Sequence, residues 1–436
     1  MTTSPTTAKD CILCGRCLSV CPVLLSTGCE ELSPRAKHHL LKTLAASPER
    51  LRLADCRVLA DKCLSCGRCA AACPQGLSIP RRLAQLRAQH PGWQQWMWKQ
   101  WIERGAALWP MLATFGKILP DSTGPQAISH LVDSLRAMAP AHVGEPWLHV
   151  DQYDRSEGEG QTVLLFSGCT ARRVQKLWRA TALTILHGLG FSVLPEADMT
   201  CCGLTLDHAG VLSAARSARQ RNVDAWRAAG RPRITTFCAT CYHGLADYAQ
   251  QDGIQWEPGE AESFTASLVP LSLLWGKTTF RISDNAPAVL RYHQPCHWNG
   301  KDPDRLWLAA TLGARFSSPS GVQCCGMGGV LQLGNQPLSR TVSDRCWDAL
   351  IPSPPEPFPV SSPESDSTKA PLADTPMSPA AHSPAWAVVS GCSGCVLQLR
   401  ASQPRSEDVS AAPVGHWLDA IAPQPDAPVP PSVTTV

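Results

Sequence analysis

Cys11, Cys14, Cys17 and Cys21, followed by Pro22, are spaced C-x2-C-x2-C-x3-C-P, and Cys63, Cys66, Cys69 and Cys73, followed by Pro74, repeat that spacing. Three thiolates two residues apart can wrap one metal cluster, because the short loop turns each of them inward. The fourth, after three more residues, faces away from that cluster and reaches a second one. A proline after each closing cysteine suits a turn, with its fixed φ and missing N–H. Structural zinc sites typically pair C-x2–4-C ligands and do not end in this way. The spacing therefore argues for two [4Fe–4S] clusters and against a pair of four-cysteine zinc sites.

The run resembles that of bacterial ferredoxins, which hold two such clusters with the fourth cysteines exchanged. On that reading Cys11, Cys14, Cys17 and Cys73 hold cluster 1, and Cys63, Cys66, Cys69 and Cys21 hold cluster 2. Residues 1–90 form this ferredoxin-type domain. Within it Ser33 is a good N-cap and Pro34 fits the first helical position. With Leu40, Leu41 and Leu44 at helical spacing, they predict a helix over about 34–46, and a second is expected over about 49–61.

At 436 residues the chain has room for two or three domains with sizeable cores. A net charge of +3, with no basic run, predicts no nucleic-acid partner. The count of 21 cysteines is odd, and they fall in metal-ligand spacings, which argues against a disulfide scaffold. The first ten residues have no apolar core of a signal peptide, and no stretch reaches the ~18–20 apolar residues of a membrane span. A cytoplasmic protein is expected, with any contact at the inner face of the membrane peripheral or made through partners.

Residues 91–159 read as a tryptophan-rich helical linker. Trp93 and Trp96, and Trp98 and Trp101, pair on one helical face, with Trp109 beyond, and the stretch on to 150 is otherwise irregular. Core packing between domains is the plainer reading of the tryptophans, and a membrane or partner surface the alternative.

Two further units follow. In the first, 160–280, strands are expected at Thr162–Phe166, Ser192–Leu194 and Arg233–Phe237, with helices over about 171–188 and 208–229. Cys169, the Cys201-Cys202-Gly203 group, and Cys238 with Cys241 each lie in a loop after a strand or before a helix. Open α/β sheets gather ligand sites at the carboxyl ends of their strands, so these five can converge. The second, 285–422, repeats the order: Val289–His293 leads to Cys296, then Cys324-Cys325-Gly326, a helix near 338–350, and Trp386–Ser390 before Cys392 and Cys395. The first copy reads C-x31-C-C-G-x34-C-x2-C and the second C-x27-C-C-G-x65-C-x2-C. The excess lies in 351–385, with ten Pro and seven Ser in 35 residues, a composition expected to be disordered, as is the tail 423–436. The fold class is thus α+β: a helical ferredoxin-type domain, then two pseudo-symmetric α/β cysteine-rich lobes.

The repeated pattern resembles the cysteine-rich CCG domain. After two ferredoxin motifs it is similar to the iron–sulfur subunits of glycolate oxidase, anaerobic glycerol-3-phosphate dehydrogenase and heterodisulfide reductase. The resemblance implies one or two noncubane [4Fe–4S] clusters, at Cys169, Cys201, Cys202, Cys238 and Cys241 (site 3), and at Cys296, Cys324, Cys325, Cys392 and Cys395 (site 4). A thiol-rich redox site or a zinc site would show the same spacing. The Pro/Ser insertion and the short gap after Cys296 depart from the family pattern. Cys29, Cys56 and Cys346 are left over, with Cys29 and Cys56 read as small buried hydrophobes. His243, His293 and His297, near the cysteine groups, read as satisfied polar residues.

No G-x-G-x-x-G and no phosphate-binding loop is present, and residues 326–329 read as a tight turn, so no flavin is expected on this chain. The resemblance implies an electron-transfer subunit of a flavin-linked 2-hydroxy-acid dehydrogenase of the glycolate oxidase type. It would pass electrons from an FAD-containing dehydrogenase partner to a quinone or other carrier. The alternatives are a catalytic disulfide reductase, an anaerobic glycerol-3-phosphate dehydrogenase subunit, and a zinc-bearing scaffold. No catalytic residue is assigned.

Overall fold

The computed structural model describes residues 10–46, 53–118, 126–140, 144–194, 199–328, 330–352 and 384–423. The Pro/Ser segment (but for its first two and last two residues), the tail after 423 and the start of the helix expected at 49–61 lie outside them, as does the side chain of Cys56.

The N-terminal unit is helical. Its helix Pro34–Ala46 starts as expected, Ser33 Oγ accepting from the Ala36 N–H at 3.1 Å. The helix leading into Cys63 is described over Leu53–Ala60. A third, Ile79–Gln89, is capped by Ser78, and its buried Ile79, Leu83 and Leu86 pack on Leu59 and Ala60 as a small local core. Cys29 is a correction: it is exposed. It caps the short turn Glu30–Leu32, which leaves its side chain against solvent and not in a core.

The stretch on to 150 is not irregular. Helices Trp93–Glu103, Gly105–Ile118 and Gln126–Met138 fill it, followed by strand β1 (Leu148–Gln152). The tryptophans divide between the two readings. Trp98 and Trp109 are buried, with Trp101 packed at 5.4 Å from Trp109, whereas Trp93 and Trp96 are about two-thirds exposed.

Two four-stranded parallel sheets carry the rest. The first is formed by β2 (Thr162–Leu165), β3 (Ser192–Leu194), β4 (Arg233–Thr236) and β5 (Leu268–Pro270), in the order β3-β2-β4-β5. Strand β6 (Thr279–Ile282) pairs antiparallel with β1 in a separate small sheet. The second large sheet comprises β7 (Val289–His293), β8 (Phe316–Ser317), β9 (Trp386–Ser390) and β10 (Val414–His416), in the order β10-β9-β7-β8. Strand β11 (Ile421–Ala422) closes the small sheet on the other side of β1. Counted in chain order, both large sheets run 2-1-3-4. Their inner strands β2, β4, β7 and β9 are mostly buried, as parallel strands covered on both faces must be. One continuous hydrophobic core spans both sheets and includes the fully buried Trp178, Trp226, Trp347 and Trp417.

Of the two long helices expected in the first unit, the first is broken and the second starts four residues late, after a separate short helix. The first runs as Gly168–Arg173 and Lys176–Gly188. Gln175, buried at the break, donates its side-chain amide to the carbonyls of Met138 and Ala139, both at 3.0 Å. The second is Leu212–Ala228, after the short Leu204–His208. Between them Gly210 (φ +78°) packs on the helix Ile79–Gln89; a Cβ there would stand 2.7 Å from the Ala88 nitrogen. The second unit behaves more simply, with the helix Gln336–Leu350 where it is expected.

Arginine-to-carbonyl bonds pin the N-terminal unit to both sheets. Arg68 donates to Gln323 O (3.1 Å), Arg81 to Gln250 O (2.7 Å) and Arg345 to Leu25 O. Arg87, 2 % exposed, donates to His208 O at 2.5 Å and Ser65 Oγ at 3.3 Å, and to Ala60 O. Arg87→Leu strands three acceptors and should destabilise the chain by about 2–3 kcal/mol. Denaturant unfolding reads this as a lower midpoint, and an unchanged midpoint would show that the contact is dispensable.

Candidate iron–sulfur sites

The two N-terminal cysteine loops share their backbone course. Leu13 and Ser65, each one residue before the second cysteine of its run, are both left-handed, at φ 57° and 55°. Such residues persist only where the surroundings over-determine them, and they cluster at functional sites. In the second loop the Ser65 N–H points at Cys63 Sγ, 3.4 Å away.

The fourth cysteines are exchanged between the loops. Cys11, Cys14, Cys17 and Cys73 line one cavity with Gly15, Arg35 and Leu77. Burial raises the pKa of the Cys17 thiol, and the charges of Cys11, Cys14 and Cys73 raise it further. In the other loop burial pushes Cys69 up, and its charged neighbours are Cys63, Cys66 and Cys21. Exposure also differs. Cys14 is exposed, beside the exposed Ile12 and Leu13, whereas Cys21 is buried in a cluster with Val23, Leu64, Cys324 and Leu338. The second loop therefore abuts the second sheet: Cys66 feels the charges of Cys296 and Cys324.

The ten cysteines of the repeats gather where the two sheets have their switch points. In a 2-1-3-4 sheet the crossovers diverge between strands 1 and 3, leaving a crevice at their carboxyl ends. Cys169 follows β2, and Cys238 and Cys241 follow β4. Cys296 follows β7, and Cys392 and Cys395 follow β9. Cys238 and Cys392 occupy the same place, as N-caps of helices Ala239–Ala246 and Ser393–Ala401. The Cys-Cys-Gly groups arrive from the loops after β3 and β8.

Close approach of backbone to sulfur fixes the first site. Gly168 is at φ +75°, and a Cβ there would lie 2.7 Å from Cys241 Sγ. Buried Asn222 donates to Cys201 O at 3.1 Å, and Tyr248 donates its hydroxyl to Cys202 O at 2.9 Å. The thiols interact in series. Hydrogen bonds from Cys201 and Cys241 hold Cys202 down to about 5, and those from Cys241 and Cys392 hold Cys238 well below the usual thiol range. In the second repeat, bonds from Cys324 and Cys395 do the same for Cys325, whose Sγ lies 3.5 Å from that of Cys395. Burial pushes Cys296 up to about 12. The two repeats touch through Cys238 and Cys392, and the Ala239 N–H donates to Gly391 O at 2.8 Å beside them.

The donor sets fit iron–sulfur clusters. Each group is a set of mutually facing thiols, all but Cys14 at buried or half-buried positions, and the thiolate is the metal-binding form. Cys346, in helix Gln336–Leu350, is buried beside the Cys324-Cys325 pair: its thiol meets the Cys324 backbone, and burial and the Cys325 charge raise its pKa.

The histidines are not all satisfied polar residues. His297 Nδ1 meets Thr240 Oγ1 at 2.9 Å, and that hydroxyl meets Cys392 Sγ at 3.1 Å, but His297 Nε2 is without a partner. His243 stacks on His297 with ring centroids 5.0 Å apart, and His208 lies 6.1 Å from it. Burial lowers all three, His208 to about 4, so they are neutral at pH 7. His293 Nε2 is also unpartnered, and the ring lies beside Cys325 and Cys395. His208, Thr240, Asn222 and Tyr248 carry no motif, so spacing could not have found them.

Comparison with known proteins places the two kinds of site. Residues 7–77 match the family model of the 4Fe-4S dicluster domain, and 163–246 that of the cysteine-rich CCG domain. The chain carries a 4Fe-4S dicluster domain and a CCG domain. Over 372 residues it is 25% identical to a subunit of the dihydromethanophenazine:CoB–CoM heterodisulfide reductase of Methanosarcina acetivorans, covering 78% of this chain and 83% of that one. It is 24% identical over 373 residues to the glycolate oxidase iron–sulfur subunit of Escherichia coli, covering 80% and 86%. A probable glycolate oxidase iron–sulfur subunit of Bacillus subtilis is 24% identical over 371 residues, covering 77% and 82%. The chain is thus an iron–sulfur protein with [4Fe–4S] clusters, similar to subunits of oxidoreductase complexes. No helix among the described residues is long and apolar enough to cross a membrane.

Substituting Gly168 by Ala should force Cys241 away and strain the loop. The expected result is a loss of iron from the first repeat with the dicluster-domain EPR signals unchanged; full iron retention would mean that Cys241 is not needed in its present place.

Proposed function

We propose that this chain is the iron–sulfur electron-transfer subunit of a flavin-linked 2-hydroxy-acid dehydrogenase of the glycolate oxidase type, oxidising glycolate to glyoxylate in a complex. The FAD-containing dehydrogenase is a separate partner, and a quinone or other carrier accepts the electrons. In this reading the chain is not catalytic alone, and it works in the cytoplasm, reaching the inner face of the membrane through its partners.

The observation that carries the reading is the unbroken succession of cysteine groups. It starts at Cys11, Cys14, Cys17 and Cys73, at a surface bearing Ile12 and Leu13. It continues through Cys63, Cys66, Cys69 and Cys21 to Cys296, Cys324, Cys325, Cys392 and Cys395, and ends at Cys238, Cys241, Cys202, Cys201 and Cys169. These four groups are the proposed ligands of four [4Fe–4S] clusters, two of them noncubane, in two pseudo-symmetric lobes. Such clusters supply one-electron carriers. The chain's own part is to hold them beside one another and to offer the end with the exposed Cys14 to the flavoprotein.

A second reading rests on the contact between Cys238 and Cys392. It sets two cysteine sites back to back, an arrangement suited to reducing a disulfide between them, and one relative is named as a heterodisulfide reductase subunit.

Cys14→Ser and Cys66→Ser should each abolish electron transfer from the reduced partner to the acceptor while leaving flavin reduction by substrate intact. Electron transfer that survives either change would end the relay reading. Turnover of disulfides to thiols with an added one-electron reductant and no flavoprotein would favour the second.

A further inference from the structure

The two repeats are not chemically equivalent. At the end of β7, three residues before Cys296, stands His293; three residues before Cys169 stands Phe166. The sheet registers agree. His293 pairs with Ser390, two residues before Cys392, while Leu165 pairs with Thr235, which places Phe166 level with Thr236, two residues before Cys238. Both side chains are buried, at 1 % and 0 % exposure. One repeat therefore offers an imidazole where the other offers a phenyl ring.

The hydrogen bonds fix the imidazole's tautomer. Ser390 Oγ donates its single proton to His293 O at 3.0 Å. Its contact with His293 Nδ1, at 3.2 Å, must then be one in which Nδ1–H donates and the hydroxyl oxygen accepts. In a neutral ring this leaves Nε2 with a bare lone pair. That atom has no hydrogen-bond partner, and the imidazole brings a ring nitrogen into a set with the Sγ atoms of Cys325 and Cys395, all within 4.8 Å of one another. A ring held by Nδ1–H to an oxygen, with Nε2 free and the ring beside facing thiols, has the arrangement of a metal-ligating histidine.

We propose that His293, through Nε2, is a ligand of the metal centre in the second repeat, making it a mixed thiolate–imidazole centre, while the centre of the first repeat is ligated by thiolates alone. The inference rests on the reading that the repeats hold iron–sulfur clusters. Compared with a thiolate at the same iron, as a His293→Cys centre would have, the neutral imidazole lowers the centre's negative charge and raises its reduction potential, as it does where histidines replace cysteines in [2Fe–2S] centres.

The test uses the full chain purified anaerobically with 15N-labelled histidine, beside His293→Phe and His293→Cys. Pulsed EPR of the repeat centres should show one strongly coupled nitrogen, lost in both variants. The His293→Cys centre, if it assembles, should titrate at a lower midpoint potential than the native one. Unchanged dicluster-domain signals certify that each variant is folded. Iron in the second repeat with no nitrogen coupling, or a coupling that survives His293→Phe, would overturn the inference alone. An iron content accounting for the dicluster domain only would overturn both the inference and the assignment of clusters to the repeats.

Discussion

Packing thiols against thiols inside a protein is costly unless something positive joins them. Burial disfavours thiolates, and each thiolate disfavours the next. In this chain burial is the leading cause that pushes Cys66, Cys69 and Cys296 up. Cys202, Cys238 and Cys325 go down chiefly because neighbouring thiols donate hydrogen bonds to them. The cations at hand are few: Arg173 acts on Cys169, and Arg68 on Cys296. Two guanidinium groups cannot balance ten facing sulfurs, whereas ferric and ferrous iron can. The cysteine groups are thus intelligible as ligand sets, and their binding of metal is coupled to release of the thiol protons.

The folding pattern serves that gathering. A parallel sheet of order 2-1-3-4 opens a crevice at the carboxyl ends of its first and third strands. Two such sheets bring the loops after β4 and β9 together, so that Cys238 and Cys392 are neighbours although 154 positions apart in number. The dicluster domain then docks its buried loop, around Cys66 and Cys21, onto the second sheet and leaves its other loop outward. Arginine donors to backbone carbonyls hold this docking, an arrangement that fixes orientation through directional bonds as well as apolar area.

Much of this was legible from spacing. The paired cysteine runs, the strands β2, β3, β4, β7 and β9, and the position of the repeat cysteine groups at strand ends follow from short apolar runs punctuated by Cys and Gly. The two- and three-residue strands β5, β8, β10 and β11 were not legible, because their pairing is set by tertiary contacts and not by local pattern. The helix break at Gln175 and the late helix start after Gly210 escaped for the same reason: each answers a partner far away in sequence, Met138 in one case and Ala88 in the other. The tryptophan segment misled because its helices carry bulky residues on more than one face, with Trp98 inward and Trp96 outward. His293 read as an ordinary polar side chain, since only the sheet register and the Ser390 hydroxyl reveal which nitrogen is left without a partner.

Iron and acid-labile sulfide content, with EPR on the anaerobically purified full chain, bears most directly on the claim that all four cysteine groups hold clusters. Four irons in each of four clusters give about sixteen irons per chain, with signals beyond those of cubane centres. About eight irons, with cubane signals alone, would confine the clusters to the dicluster domain and contradict the account.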